Sequence, residues 1–174
     1  MSELDEAWEL ALADAERRAR AEGRRDIADY VALRKQNDFL RRTAVEWLVS
    51  TLTALVAKAN RAGAAIQVEQ KDTHQFRVRH ATMVGSQFTL RSGVRALTIE
   101  TGWPRTPRDG FVRGGGLACA NLKHFGRPRA NADLLLVRSP HGTPQWFVIG
   151  KTGERMLLTE THLRDHLAIL LNES

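Results

Sequence analysis

A single cysteine, Cys119, among 174 residues excludes an intramolecular disulfide framework and the small stapled folds that depend on one. No apolar run approaches the roughly 18 residues that a helix needs to cross a bilayer, so no membrane is expected among the partners. The opening stretch MSELDEAWELALADAERR is acidic and amphipathic, whereas a secretory signal starts basic and then turns apolar. With reduced-thiol cysteine usage, it points to a cytoplasmic protein. Internal repeats and low-complexity segments are also absent. The glycine run in RGGGLACANL lacks both the lysine-Ser/Thr pair of a Walker A loop and the GxGxxG spacing of a dinucleotide fold. Metal chemistry is equally thin. His162 and His166 in HLRDH stand at i and i+4, but Asp165 occupies the place of the glutamate in the inverted zinc-protease motif, and no third ligand accompanies them. They read as exposed helix histidines, and the expectation is no metal and no cofactor.

What is present is an uneven charge. The chain carries a net +6. Residues 101–129 hold Arg105, Arg108, Arg113, Lys123, Arg127 and Arg129 against Asp109 alone, while residues 1–63 balance acids and bases. Most of the excess therefore sits in one stretch, TGWPRTPRDGFVRGGGLACANLKHFGRPR. A basic surface of this kind permits a polyanionic partner.

Periodicity gives the architecture. Residues 3–22 read as a helix with Leu4, Trp8, Leu12, Ala15 and Ala19 at helical spacing and Gly23 as its left-handed cap. Asp26 is the expected cap of a second helical pattern that reaches Gly63, as one helix or as two broken near Thr43. Tyr30, Leu33, Asn37, Leu40, Ala44, Trp47, Thr51 and Ala54 alternate along it by three and four, a coiled-coil-like seam in which Asn37 is a register-fixing polar residue. From residue 65 the period becomes twofold. Strands are expected at 65–70, 75–80, 82–84, 87–91, 94–101, 133–138 and 145–149, with Gly85-Ser86 and Ser92-Gly93 as tight turns. Residues 117–125 fit either a helix or a strand. Thr159 opens a last helix with Leu163, Leu167, Leu170 and Leu171 on one side.

Helices, then hairpin-linked strands, then a closing helix specify an α+β fold with a mainly antiparallel sheet of five to seven strands. Residues 1–63 form a helical hairpin packed on, or extending from, a sheet domain of residues 64–174, and the two read as one cooperative unit.

Function is read in three ways. In the first, the chain is a soluble bacterial-type, non-enzymatic binding module. Its Gly/Arg-rich loop would grip nucleic acid or another polyanion through Arg105, Arg108, Arg113, Gly114, Gly115, Lys123, Arg127 and Arg129. Pro107-Arg108-Asp109-Gly110 is a β-turn that presents Arg108, Trp103 or Phe111 offers a stacking face, and Arg77 and Arg79 extend the patch from one side of their strand. In the second, it is an assembly protein that homodimerises through helix 26–62. In the third, loop 101–126 closes over a small-ligand or catalytic pocket at the sheet edge. A thiolate–imidazole couple of Cys119 with His124 is the one nucleophile considered, and no catalytic set emerges from it.

Overall fold

The computed structural model describes residues 3–105 and 115–172. Two N-terminal helices, α1 (Glu3–Ala21) and α2 (Arg25–Arg61), precede seven strands. These are β1 (Gln67–Val78), β2 (Ala81–Ser92), β3 (Arg95–Trp103), β4 (Ala118–His124), β5 (Ala132–Arg138), β6 (Pro144–Ile149) and β7 (Arg155–Leu157), and helix α3 (Glu160–Leu171) closes the chain. The strands form one sheet in the order β1 to β7, every neighbour antiparallel. The fold is α+β, as its element order dictates.

One face of the sheet carries the main core. Phe88, Leu90, Leu97, Ile99, Ala120, Leu122, Leu134, Leu136 and Trp146 point from it toward Ala44, Leu48, Leu52, Leu55 and Val56 of α2 and Leu163, Leu167 and Leu170 of α3. The Trp146 Nε1–H donates to Ala44 O (3.0 Å), tying the middle of α2 to β6. At the end of α2 the Asn60 side chain pairs with both backbone groups of Ile66 (3.0 and 2.8 Å), which turns the chain from helix into β1. The helices and sheet therefore share one core across residue 63. Thr159 is the N-cap of α3, its backbone N–H donating to His162 Nδ1 (3.1 Å).

The structure redraws several elements. The α2 pattern is one continuous helix of 37 residues, about 55 Å long at 1.5 Å per residue. Its N-cap position is Arg24 rather than Asp26. The seam expected on α2 is covered only in part: Asn37 and Ala44 are buried, whereas Tyr30, Leu33 and Trp47 are 48, 45 and 44% exposed. The buried stripe runs instead through Val31, Arg34, Asp38, Arg41, Leu48, Leu52 and Leu55, one position C-terminal to it. Asn37 is buried as an acceptor for Arg138 Nη2 (2.7 Å) within the chain.

Strands 65–70 and 75–80 are one strand, β1, with a register shift between Lys71 and His74. Residues 117–125 resolve as strand, and β7 is a short addition that the sequence pattern did not announce. Strands 82–84 and 87–91 are likewise a single β2, so Gly85-Ser86 is not a turn. Gly85 pairs with Gly102 in mid-strand, where a Cβ would lie 1.9 Å from Thr101 O. The glycine serves close approach. Gly85→Ala is expected to cost about 3 kcal/mol, since the obstacle is backbone. Gly93→Ala, at φ +60° with no atom within 4 Å of a built Cβ, is expected to cost only about 1 kcal/mol. Thermal melting by circular dichroism checks the contrast, and equal losses would remove this explanation of Gly85.

Candidate functional site

No helix among the described residues covers the second face of the sheet. Alternation along β4 sends Ala118, Ala120 and Leu122 into the main core and Cys119, Asn121 and Lys123 to the open side. Phe76 and Met83, from the β1–β2 hairpin, pack there on Cys119 and Leu135 to make a second, smaller apolar cluster. Beside that cluster lies a cleft of about 830 Å³ between the hairpin tip and strands β4 to β7. Arg77, Arg79, Lys123 and Arg155 line it, with Asp133 the one carboxylate among its lining residues. Arg79 sits in the two-residue hairpin turn at φ +56°, a left-handed conformation unusual for a side chain of its size.

A polar row crosses the open face in register, from Gln87 to Glu100, Asn121 and Asp133. Glu100 is 6% exposed; His74 Nε2 lies 2.6 Å from its Oε2, and the Lys123 ammonium pairs with its Oε1. Burial alone would raise the Glu100 pKa, but Lys123 and His74 outweigh it and hold the carboxyl below the usual range. With the Asn121 amide oriented to satisfy both of its ends, its nitrogen donates to Asp133 Oδ1 (3.0 Å) and Ala120 O (3.2 Å). The floor is thus polar on one side and apolar on the other, under a cationic rim.

The sequence-derived site residues fall into three places. Trp103 is 4% exposed in the main core, with the Arg41 and Arg105 guanidinium carbons 5.7 and 4.1 Å from its ring centroid. Its faces are occupied, which leaves none for a base. Arg105 is half-buried, with Nη2 3.4 Å from Val84 O, and stands where the chain leaves β3. Gly115 is exposed at φ +80° where the chain returns toward β4. Lys123 lies on the open face. Arg127 and Arg129 occupy the β4–β5 turn at the opposite end of β4, about 20 Å away at the ~3.4 Å rise of a strand. Arg127 Nη2 donates to Asn172 Oδ1 (2.8 Å) at the end of α3. Arg108, Phe111, Arg113 and Gly114 lie outside the described residues, as does the Pro107–Gly110 turn.

Sequence reading missed a buried charged junction. Arg41 is 1% exposed; its Nη1 donates to Asp38 Oδ1 (2.7 Å) and its Nε to Leu117 O (2.6 Å). Trp8 Nε1–H donates to Asp38 Oδ2 (3.2 Å), and the Arg34 guanidinium lies over the Trp8 ring at 5.2 Å. Both ends of the Gly/Arg-rich stretch are thereby held on α2, at Trp103–Arg105 and at Leu117. The signal was available as opposite charges at helical spacing, Arg34, Asp38 and Arg41, in phase with Leu48, Leu52 and Leu55.

The nucleophile and metal readings lose their geometry. Cys119 faces the open side, whereas His124 faces α3, so the two stand on opposite faces of the sheet. Burial pushes the Cys119 thiol up to about 11, and nearby Asp133 adds to the effect. His162 belongs to the cap of α3 and His166 bonds to His124 (2.9 Å), so the i, i+4 pair does not converge. Among the described residues no three His, Cys, Asp or Glu side chains are grouped to hold a metal ion. No family model, no curated protein and no solved structure matches the chain.

Proposed function

We propose that this protein is a binding module whose open sheet face takes a phosphate-bearing polyanion, a nucleic-acid strand in the first place. The observation that carries the reading is the cleft beneath the β1–β2 hairpin, lined by Arg77, Arg79, Lys123 and Arg155 with Asp133 the one carboxylate among its described lining residues. These cations come from three separate parts of the chain and meet only in the folded sheet. Lys123 is partly neutralised by Glu100, so Arg77 and Arg79 at the exposed hairpin tip carry most of the attraction. The apolar floor, with Met83, Leu135 and Ile149, accepts the non-ionic part of a nucleotide, while Asn121 and Asp133 offer hydrogen bonds to base edges.

Fluorescence anisotropy with a labelled single-stranded oligonucleotide tests this over a salt series. Each phosphate neutralised contributes about −0.7 to the slope of log K against log salt, so two to three contacts give a slope between about −1.4 and about −2.1. Arg77→Glu with Arg79→Glu is expected to lower affinity at least about tenfold, through repulsion as well as lost contacts. Arg127→Ala with Arg129→Ala is expected to change it less than about threefold. Equal losses from the two pairs would place the ligand elsewhere, and no binding at ~50 mM salt would remove the reading.

A second reading rests on the helical hairpin. Leu10 and Phe39 are 72 and 66% exposed beside one groove between α1 and α2, and Trp47 is exposed further along α2. Assembly through this surface predicts a dimer mass in solution that Leu10→Ser with Phe39→Ser converts to monomer.

A further inference from the structure

Two neighbouring turns at one end of the sheet expose apolar side chains that neither the fold nor the cleft uses. Val94, in the two-residue β2–β3 turn, is 92% exposed, and Phe125, just after β4, is 77% exposed. They are the two most exposed large apolar side chains among the described residues. The Phe125 N–H donates to Ala96 O (2.9 Å), which sets the second turn against the start of β3, two residues from Val94. Turn chemistry does not ask for either residue. Gly93, at φ +60°, supplies the left-handed position of the hairpin, and the second turn position is ordinarily polar or glycine.

The surroundings of this tip are basic. Segments 91–95 and 123–131 contain Arg91, Arg95, Lys123, Arg127 and Arg129 and no Asp or Glu. Arg91 and Lys123 are drawn back toward Glu69 and Glu100, and Arg127 toward the end of α3. Arg95 and Arg129 have no carboxylate partner among the described residues, and Arg129 is exposed on the short 3-10 turn Pro128–Ala130 next to Phe125.

We infer that this tip docks on an anionic lipid surface, with Phe125 and Val94 entering the headgroup–acyl boundary and the arginines meeting lipid phosphates. Three considerations select that partner. Arg95 and Arg129 beside a small apolar point are complementary to an anionic interface. A nucleic-acid strand would use the Phe125 ring for stacking but offers Val94 nothing, whereas the lipid interface takes both. A second copy of the chain would need roughly 1,200 Å² or more of buried surface, far above what two side chains supply. That no helix of the described residues is long and apolar enough to cross a membrane does not bear on a surface contact. The tip shares only Lys123 with the cleft, and the inference does not rest on that residue.

Sedimentation of the full chain with vesicles tests it. Vesicles of phosphatidylcholine with about a third phosphatidylserine are expected to bind it at least roughly tenfold more tightly than pure phosphatidylcholine, and added salt weakens that binding. Val94→Ser with Phe125→Ser is expected to lose at least about tenfold of the vesicle affinity with the melting temperature unchanged, since both side chains are exposed. The same variant keeps the wild-type affinity for the oligonucleotide, so failure of the tip and failure of the cleft are read separately. Equal binding to neutral and anionic vesicles, or unchanged vesicle binding by the double variant, would overturn the inference. So would a loss of oligonucleotide rather than vesicle binding, which would assign the tip to nucleic acid.

Discussion

Arg41→Met is expected to destabilise the protein by about 3–5 kcal/mol, the range for leaving one partner of a buried ion pair uncompensated. Arg41 and Asp38 are 1 and 2% exposed, at the point where α1, α2 and the start of β4 meet. Methionine preserves much of the volume over Trp103 but removes both donors. Asp38 would keep the Trp8 indole N–H and lose the Arg41 guanidinium, while Leu117 O would lose its donor. Burial lowers the Arg41 pKa and the Asp38 carboxylate opposes that. The double variant Asp38→Leu with Arg41→Met is expected to regain most of the loss, because an apolar replacement of a whole buried pair is often close to neutral. Urea unfolding followed by circular dichroism measures all three proteins. A single-variant loss below about 1 kcal/mol would show that the pair is not desolvated as described.

Lowering the pH from 7 to about 4 is expected to remove up to about 3 kcal/mol of stability through the His124–His166 pair, less where water reaches the partly exposed His166 ring. The rings stack with centroids 5.2 Å apart and share one hydrogen bond, Nε2 to Nδ1 at 2.9 Å, which requires a lone pair on one side. Burial and then the neighbouring His124 push His166 down to about 4, with Asp165 pulling the other way and His162 adding to the depression. Burial and then Arg127 depress His124. With folded-state values below that of the unfolded chain, the unfolded state binds more protons on acidification. The contribution is complete above the unfolded value near 6.5 and is lost as the pH falls through the folded values. The Glu100 network weakens only in a lower window, because its depressed carboxyl protonates below the usual carboxylate range. His166→Leu is expected to flatten the upper window while leaving the lower one, as read from urea midpoints at half-unit pH steps. A wild-type curve flat from pH 7 to 5 would contradict the neutral pair.

The sheet was legible because its strands obey the twofold alternation of one covered and one open face, and because Gly93 marks the turn between β2 and β3. Gly85 misled for a physical reason. A glycine demanded by a close backbone approach looks the same in sequence as one demanded by a turn. The α2 face was misplaced by one position for another reason, since an apolar count cannot find a stripe whose middle is Arg34, Asp38 and Arg41. Projecting the phase of Leu48, Leu52 and Leu55 back along the helix would have reached all three. In the candidate site, the alternation of Phe76 and Val78 with Arg77 and Arg79 was visible. Their meeting with Lys123 and Arg155 depends on the order of strands and on the curl of the hairpin, which no local pattern encodes. The same long-range order separates Arg105 from Arg127 and Arg129, which share one basic stretch of sequence but stand at opposite ends of β4.

The central claim is that the open sheet face is the binding surface. Backbone amide shifts of isotope-labelled protein, titrated with an unlabelled single-stranded oligonucleotide at ~50 mM salt, test it most directly. The account predicts shifts that saturate together at Arg77–Met83, Cys119–Lys123, Asp133–Leu135 and Gly153–Arg155, the segments that line the cleft, with α1 unmoved. Shifts confined to α1 and α2, or none at all, would contradict it.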